Sequence, residues 1–123
     1  MSTRSITKIT DHTTEPTVEL AAFWRHWGGS PTEHGQELVD FIRAHEGDES
    51  WSTPELIAAA IVFHFCSGQP LDRFRPLDTS DVYMAQEYTY DVQIHPEGIA
   101  VEVSPGESEV LYDWDKYNDK MRR

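Results

Sequence analysis

The sequence predicts an α+β fold: an antiparallel β-sheet, made of two N-terminal strands plus a three-stranded C-terminal meander, packed against a pair of α-helices. Three observations carry that expectation. Residues 18–27 and 87–114 alternate apolar and polar side chains with period two, the pattern of strands. Two stretches between them open on helix-start chemistry, Ser30-Pro31-Thr32-Glu33 and Ser52-Thr53-Pro54-Glu55, and continue into apolar residues. The order strand, strand, helix, helix, strands segregates the element types, which points to α+β. With 123 residues, 38% of them hydrophobic, the chain is expected to form a single domain, residues 1–123.

In chain order, Ser5 to Thr10 reads as a short strand, although Ile6 and Ile9 break the alternation. Asp11 to Pro16 reads as a turn. In the second strand, Val18, Leu20, Ala22, Trp24 and His26 share one face, and Glu19, Ala21, Phe23, Arg25 and Trp27 the other. Apolar groups on both faces predict a central strand covered on each side. Gly28-Gly29 then breaks it. The first helix is expected from Ser30, as N-cap in a capping box with Glu33, to about Glu46, with Gly47 as its stop. Its buried stripe is Leu38, Phe41, Ile42 and His45, with Glu37, Asp40 and Arg43 facing water. The second helix, Leu56 to Cys66, is apolar nearly all round, which predicts burial on most of its circumference, between the sheet and the first helix. Gln69 to Ser80 reads as a loop. The meander follows, with turns at His95-Pro96-Glu97-Gly98 and Ser104-Pro105-Gly106-Glu107.

Charge is the strongest functional signal. Formal net charge is −12. From Asp78 to Asp115 the chain carries ten carboxylates and no Lys or Arg. Such a field repels phosphates and anionic lipid, so direct nucleic-acid or membrane binding is disfavoured and a basic protein surface is the expected partner. If the meander alternates cleanly, its wet face gathers Glu87, Asp91, Glu102, Glu109 and Asp113 into a carboxylate array. Tyr88 and Trp114 would add apolar contact to that partner-binding surface. Two blander readings compete: acidity as a solubility device, and acidity as adaptation to high salt. One cysteine, Cys66, permits no intrachain disulfide and fits a reducing, cytoplasmic setting. The longest apolar run falls far short of a membrane span.

A second constellation is His26, His34 and Glu37, with Arg25 beside it. His34 and Glu37 lie three apart on the first helix, so a small metal or acid–base site is geometrically open to them. The competing reading treats them as ordinary structural and surface residues. No cofactor motif is present: Gly28-Gly29 lacks the Lys-Ser/Thr of a phosphate loop.

The segments Ser2-Thr3-Arg4, Trp24-Arg25-His26-Trp27-Gly28-Gly29-Ser30-Pro31, His34-Gly35-Gln36-Glu37-Leu38 and Phe41-Ile42 resemble a group of small proteins from phages, prophages and archaea. Those proteins carry Ser-Thr-Arg, then Tyr-Arg-His-Trp-Asp-Gly-Tyr-Pro, then a His-Gly-x-Glu-Leu helix ending in Phe-Leu. Here Trp24 and Ser30 stand for Tyr, and Gly28 for Asp. The resemblance covers residues 2–42 and implies a mobile-element origin. Small acidic phage proteins include anti-CRISPR inhibitors that resemble nucleic acid in charge. The expectation is therefore a phage-type accessory protein that blocks a basic, nucleic-acid-binding surface of a host protein, such as a CRISPR effector or other defence nuclease. The alternatives are a small metal-binding protein or enzyme built on His26, His34 and Glu37, and a structural or oligomerising protein.

Overall fold

The structure is a computed structural model that describes residues 3–70, 73–77 and 86–104, and the backbone of 109–113. Among the described residues, six strands form one mixed sheet in the order β3-β2-β1-β4-β5-β6. They are β1 Ser5–Asp11, β2 Val18–Arg25, β3 Phe74–Leu77, β4 Tyr88–Ile94, β5 Ile99–Ser104 and β6 Glu109–Asp113. Helices α1 Gln36–His45 and α2 Pro54–Cys66 come between β2 and β3. The expected α+β class holds, but the sheet differs from the expectation in two ways. It is not purely antiparallel: two antiparallel blocks, β3-β2-β1 and β4-β5-β6, join through a parallel β1–β4 pair. It also has a sixth strand, β3, inside the stretch read as a loop. That strand is four residues long and contains Pro76, which an edge strand tolerates and a central one does not.

The parallel pair puts β1 in the middle of the sheet, with β2 on one side and β4 on the other. This explains its broken alternation. Ile9 belongs to the main core under the helices, while Ile6, on the opposite face, is fully buried as well. β2 is likewise interior, and it buries Phe23 on the helix side and Ala22 on the other. The core gathers Ile9, Phe23, Tyr90, Val92 and Val101 from the sheet, Leu38 and Ile42 from α1, and Ile61 and Phe65 from α2.

The first helical stretch opens as predicted at Ser30 and Pro31, but its first turn, Pro31–Gly35, is a π-turn. No capping box forms. Ser30 makes no side-chain cap, and the Glu33 carboxylate turns to Arg25 instead of the helix N-terminus. A buried guanidinium needs a counter-charge more than an exposed backbone N–H needs a cap. The helix stops where Gly47 takes φ +92°. Helix α2 is capped by Thr53, whose Oγ1 accepts from Leu56 N at 3.2 Å. Its expected enclosure is not found. Ile57, Ala58, Ile61 and Phe65 are buried, but Leu56, Ala59 and Phe63 face solvent. The helix packs on β2 and β3, and α1 meets it through Phe41, whose ring stacks on His64 and touches Phe65, which leaves Leu56, Ala59 and Phe63 exposed. None of the described helices is long and apolar enough to cross a membrane.

Candidate functional site

Two polar clusters occupy opposite faces of the sheet. The inner one is built on Arg25, the last residue of β2, which is only 1% exposed. Its Nε donates to the Trp27 carbonyl at 2.8 Å. Its Nη1 donates to Glu37 Oε2 at 2.6 Å and to His34 Nδ1 at 3.0 Å, and its Nη2 donates to Glu33 Oε2 at 3.1 Å. The ring of Phe74 lies 4.9 Å from the guanidinium, a cation–π contact. Gly28 makes room for this arrangement: it takes φ +73°, and a Cβ there would collide with Glu33 Oε2 and come within 2.7 Å of Arg25 Nη2.

His34 is fully buried against Phe23, Phe65 and Tyr90. Arginine has no acceptor, so His34 Nδ1 must accept and its proton must sit on Nε2, which donates to Thr7 Oγ1 at 2.8 Å. Burial first, and the Arg25 charge second, push the imidazole pKa down to about 3. His34 is therefore a neutral imidazole with both nitrogens engaged. Tyr90 closes the cluster by donating to the Gly29 carbonyl at 2.6 Å, and burial raises its pKa.

Of the constellation His26, His34 and Glu37, the structure brings together His34 and Glu37 through Arg25. His26 lies apart: its ring sits 5.4 Å from that of Trp27 and its backbone N–H bonds to the Arg73 carbonyl. Among the described residues no group of three His, Cys, Asp or Glu side chains could hold a metal ion. Burial alone raises the Cys66 thiol to about 11, so it is not a ready nucleophile.

The outer cluster lies on the face away from the helices. Asp91 of β4 and Glu102 of β5 stand directly opposite each other. Lys8 of β1 is in register with Asp91 on its other side. With Glu19 and Thr10 these residues line an open groove of about 380 Å³. Asp91 is held rather than loose: Oδ1 accepts from Thr10 Oγ1 at 2.9 Å and Oδ2 from Gln93 Nε2 at 3.0 Å. Thr10 in turn accepts from His12 Nε2 at 3.0 Å, and Gln93 Oε1 from His95 Nε2 at 3.1 Å. The two histidine rings meet with centroids 4.7 Å apart, which closes a belt around the carboxylate.

Among the predicted partner-binding residues, Asp91 and Glu102 share this face, and Glu87 is exposed just before β4, its carboxylate accepting from the Arg4 N–H. Tyr88 is half-buried and packs against the core. Glu109 pairs with Val103 and Asp113 with Ala100 along the β6 backbone, across a register shift. Trp114 lies outside the described residues, as does the second predicted turn beyond Ser104. Sequence reasoning missed Lys8, Thr10, His12 and His95. The repeated spacings Thr10-x-His12 and Gln93-x-His95 were the available signal, and they become meaningful only once the parallel register aligns Thr10 with Gln93.

Comparison of the chain with family models, with curated proteins and with solved structures finds no match.

Proposed function

We propose that this protein is a non-enzymatic binding protein whose sheet face away from α1 and α2 engages a basic surface on another protein. The observation that carries the reading is the direct opposition of Asp91 and Glu102. Like charges facing each other across strands cost stability, and Asp91 is fixed in that position by two hydrogen bonds. Three carboxylates, Asp91, Glu102 and Glu19, surround the single ammonium of Lys8, so the groove keeps a negative balance. A cationic partner relieves that repulsion. The net charge of −12 adds long-range attraction to any basic surface.

The narrower form of the proposal is a phage-type accessory protein that covers a site where nucleic acid normally lies, for example on a CRISPR effector or another defence nuclease. It draws on the acidity together with the resemblance carried by residues 2–42.

The test is affinity capture from host lysate with wild-type protein and with the double variant Glu19→Lys, Glu102→Lys. The expected result is a basic protein that elutes as salt rises, is displaced by added oligonucleotide, and binds the double variant at least about tenfold more slowly. Capture indifferent to salt and to the double reversal would overturn the proposal.

A further inference from the structure

We propose that the chain forms a two-fold symmetric dimer through the exposed side of α2. The observation is an apolar stripe that the described residues leave largely uncovered. Phe63 is 71% exposed and Leu56 is 49% exposed, and between them on the same side lie the exposed Ala59 and the half-buried Ala60. An aromatic side chain standing this far into water, beside an exposed leucine on a mostly apolar helix, is unusual for a surface with no partner.

The order along the stripe identifies the occupant. Leu56, Ala59, Ala60, Phe63 runs large, small, small, large, so it reads alike in both directions. A two-fold interface demands that self-complementarity, because the same patch must serve both sides. Antiparallel pairing of two α2 helices sets Leu56 of each copy against Phe63 of the other. The alanines fall at the crossing point, where small side chains allow the backbones to approach. The macrodipoles oppose each other favourably.

Charge points the same way. At −12 per chain, two copies repel each other over most approaches, and α2 carries one carboxylate in 13 residues, Glu55. Glu55 sits in the first turn, so antiparallel pairing holds the two Glu55 side chains at opposite ends of the contact. A 13-residue helix is about 20 Å long, and pairing two of them buries on the order of 1,000 Å², the range of weak, reversible interfaces. Because α2 lies on the opposite side of the sheet from Asp91 and Glu102, the dimer would present two acidic faces outward.

Sedimentation velocity from about 10 µM to about 1 mM, at low and high salt, tests it. The expected result is a mass that climbs from one chain to two and stops there, and that reaches two at lower concentration in high salt, where repulsion between copies is screened. Phe63→Glu should keep the wild-type circular dichroism and raise the dissociation constant about 30-fold or more. Ala59→Arg should do the same by filling the crossing point, while Glu102→Lys should leave the dimer intact. A one-chain mass at every concentration in high salt, growth beyond two chains, or a dimer indifferent to both α2 variants would overturn the inference.

Discussion

Replacing His34 with Gln should flatten the dependence of stability on pH. The imidazole titrates at about 6.5 when unfolded and at about 3 in the folded chain, where it is buried and faces Arg25. Between those values the unfolded chain binds a proton that the native chain refuses. Stability therefore rises with pH across this window: the contribution is complete above about 6.5 and drains away as pH falls toward 3. The limiting slope is about 1.4 kcal/mol per pH unit, so wild type should lose about 2 kcal/mol between pH 7.5 and pH 5 from this one group. His64, also lowered by burial, acts in the same direction, but it is present in both proteins and cancels in the comparison. Asp11 and Asp48, whose hydrogen bonds from Thr13 and Ser50 hold them below the usual carboxylate range, give up their contributions only under more acidic conditions. Urea denaturation at pH 5 and pH 7.5 for wild type and H34Q is the assay. The variant should be less stable at pH 7.5 yet lose about 2 kcal/mol less on acidification. Equal losses in the two proteins would show that His34 is protonated in the native state and that the hydrogen-bond assignment is wrong.

Two further outcomes follow from the same cluster. Arg25→Met keeps the aliphatic stem but strands the buried His34 Nδ1 and removes the donor to the Trp27 carbonyl, which should cost about 2–4 kcal/mol, whereas Glu37→Gln should cost under about 1 kcal/mol because Glu37 is 48% exposed and can return to water; equal losses by thermal denaturation would refute the division. Gly28→Ala should destabilise more than Gly47→Ala, because both require a positive φ but only at position 28 does the new methyl meet Glu33 and Arg25, while at position 47 it meets nothing within 4 Å; paired melting curves measure the difference.

How much of this was legible in the sequence depends on how local the cause is. The helix starts at Pro31 and Pro54, the stop at Gly47 and the hairpin turn at His95–Gly98 are set by neighbouring residues, and all are found. The alternation of β4 and β5 placed Asp91 and Glu102 on one face without knowledge of the sheet order. The β1–β4 pairing joins Ser5 to Tyr88, a separation that no local pattern reports, and so the mixed sheet and the belt around Asp91 stayed hidden. Apolar periodicity misjudged α2 because it measures how hydrophobic a helix is and not how many neighbours the fold supplies. Arg25 looked like an ordinary surface charge since nothing in the sequence shows that four acceptors converge on it.

That convergence bears on function. A histidine and a carboxylate on one helix invite a catalytic or metal-binding reading, but the geometry assigns them another task. His34 spends Nδ1 on Arg25 and Nε2 on Thr7, with aromatic rings on its remaining sides. It keeps no nitrogen for a substrate proton or a metal. Arg25 reaches from the end of β2 to the first turns of the helix, and Thr7 ties the same helix to the central strand. The cluster thus clamps helix to sheet in place of the missing capping box, and the π-turn at Pro31–Gly35 leaves His34 facing the strands. With this polar cluster committed to holding the fold, the two surfaces proposed above to meet other molecules lie elsewhere among the described residues: the carboxylates around Lys8 on one side of the sheet and the apolar stripe of α2 on the other. Their different chemistries predict opposite responses to salt, weaker contact at the first and stronger at the second, so one ionic-strength series can tell the two surfaces apart.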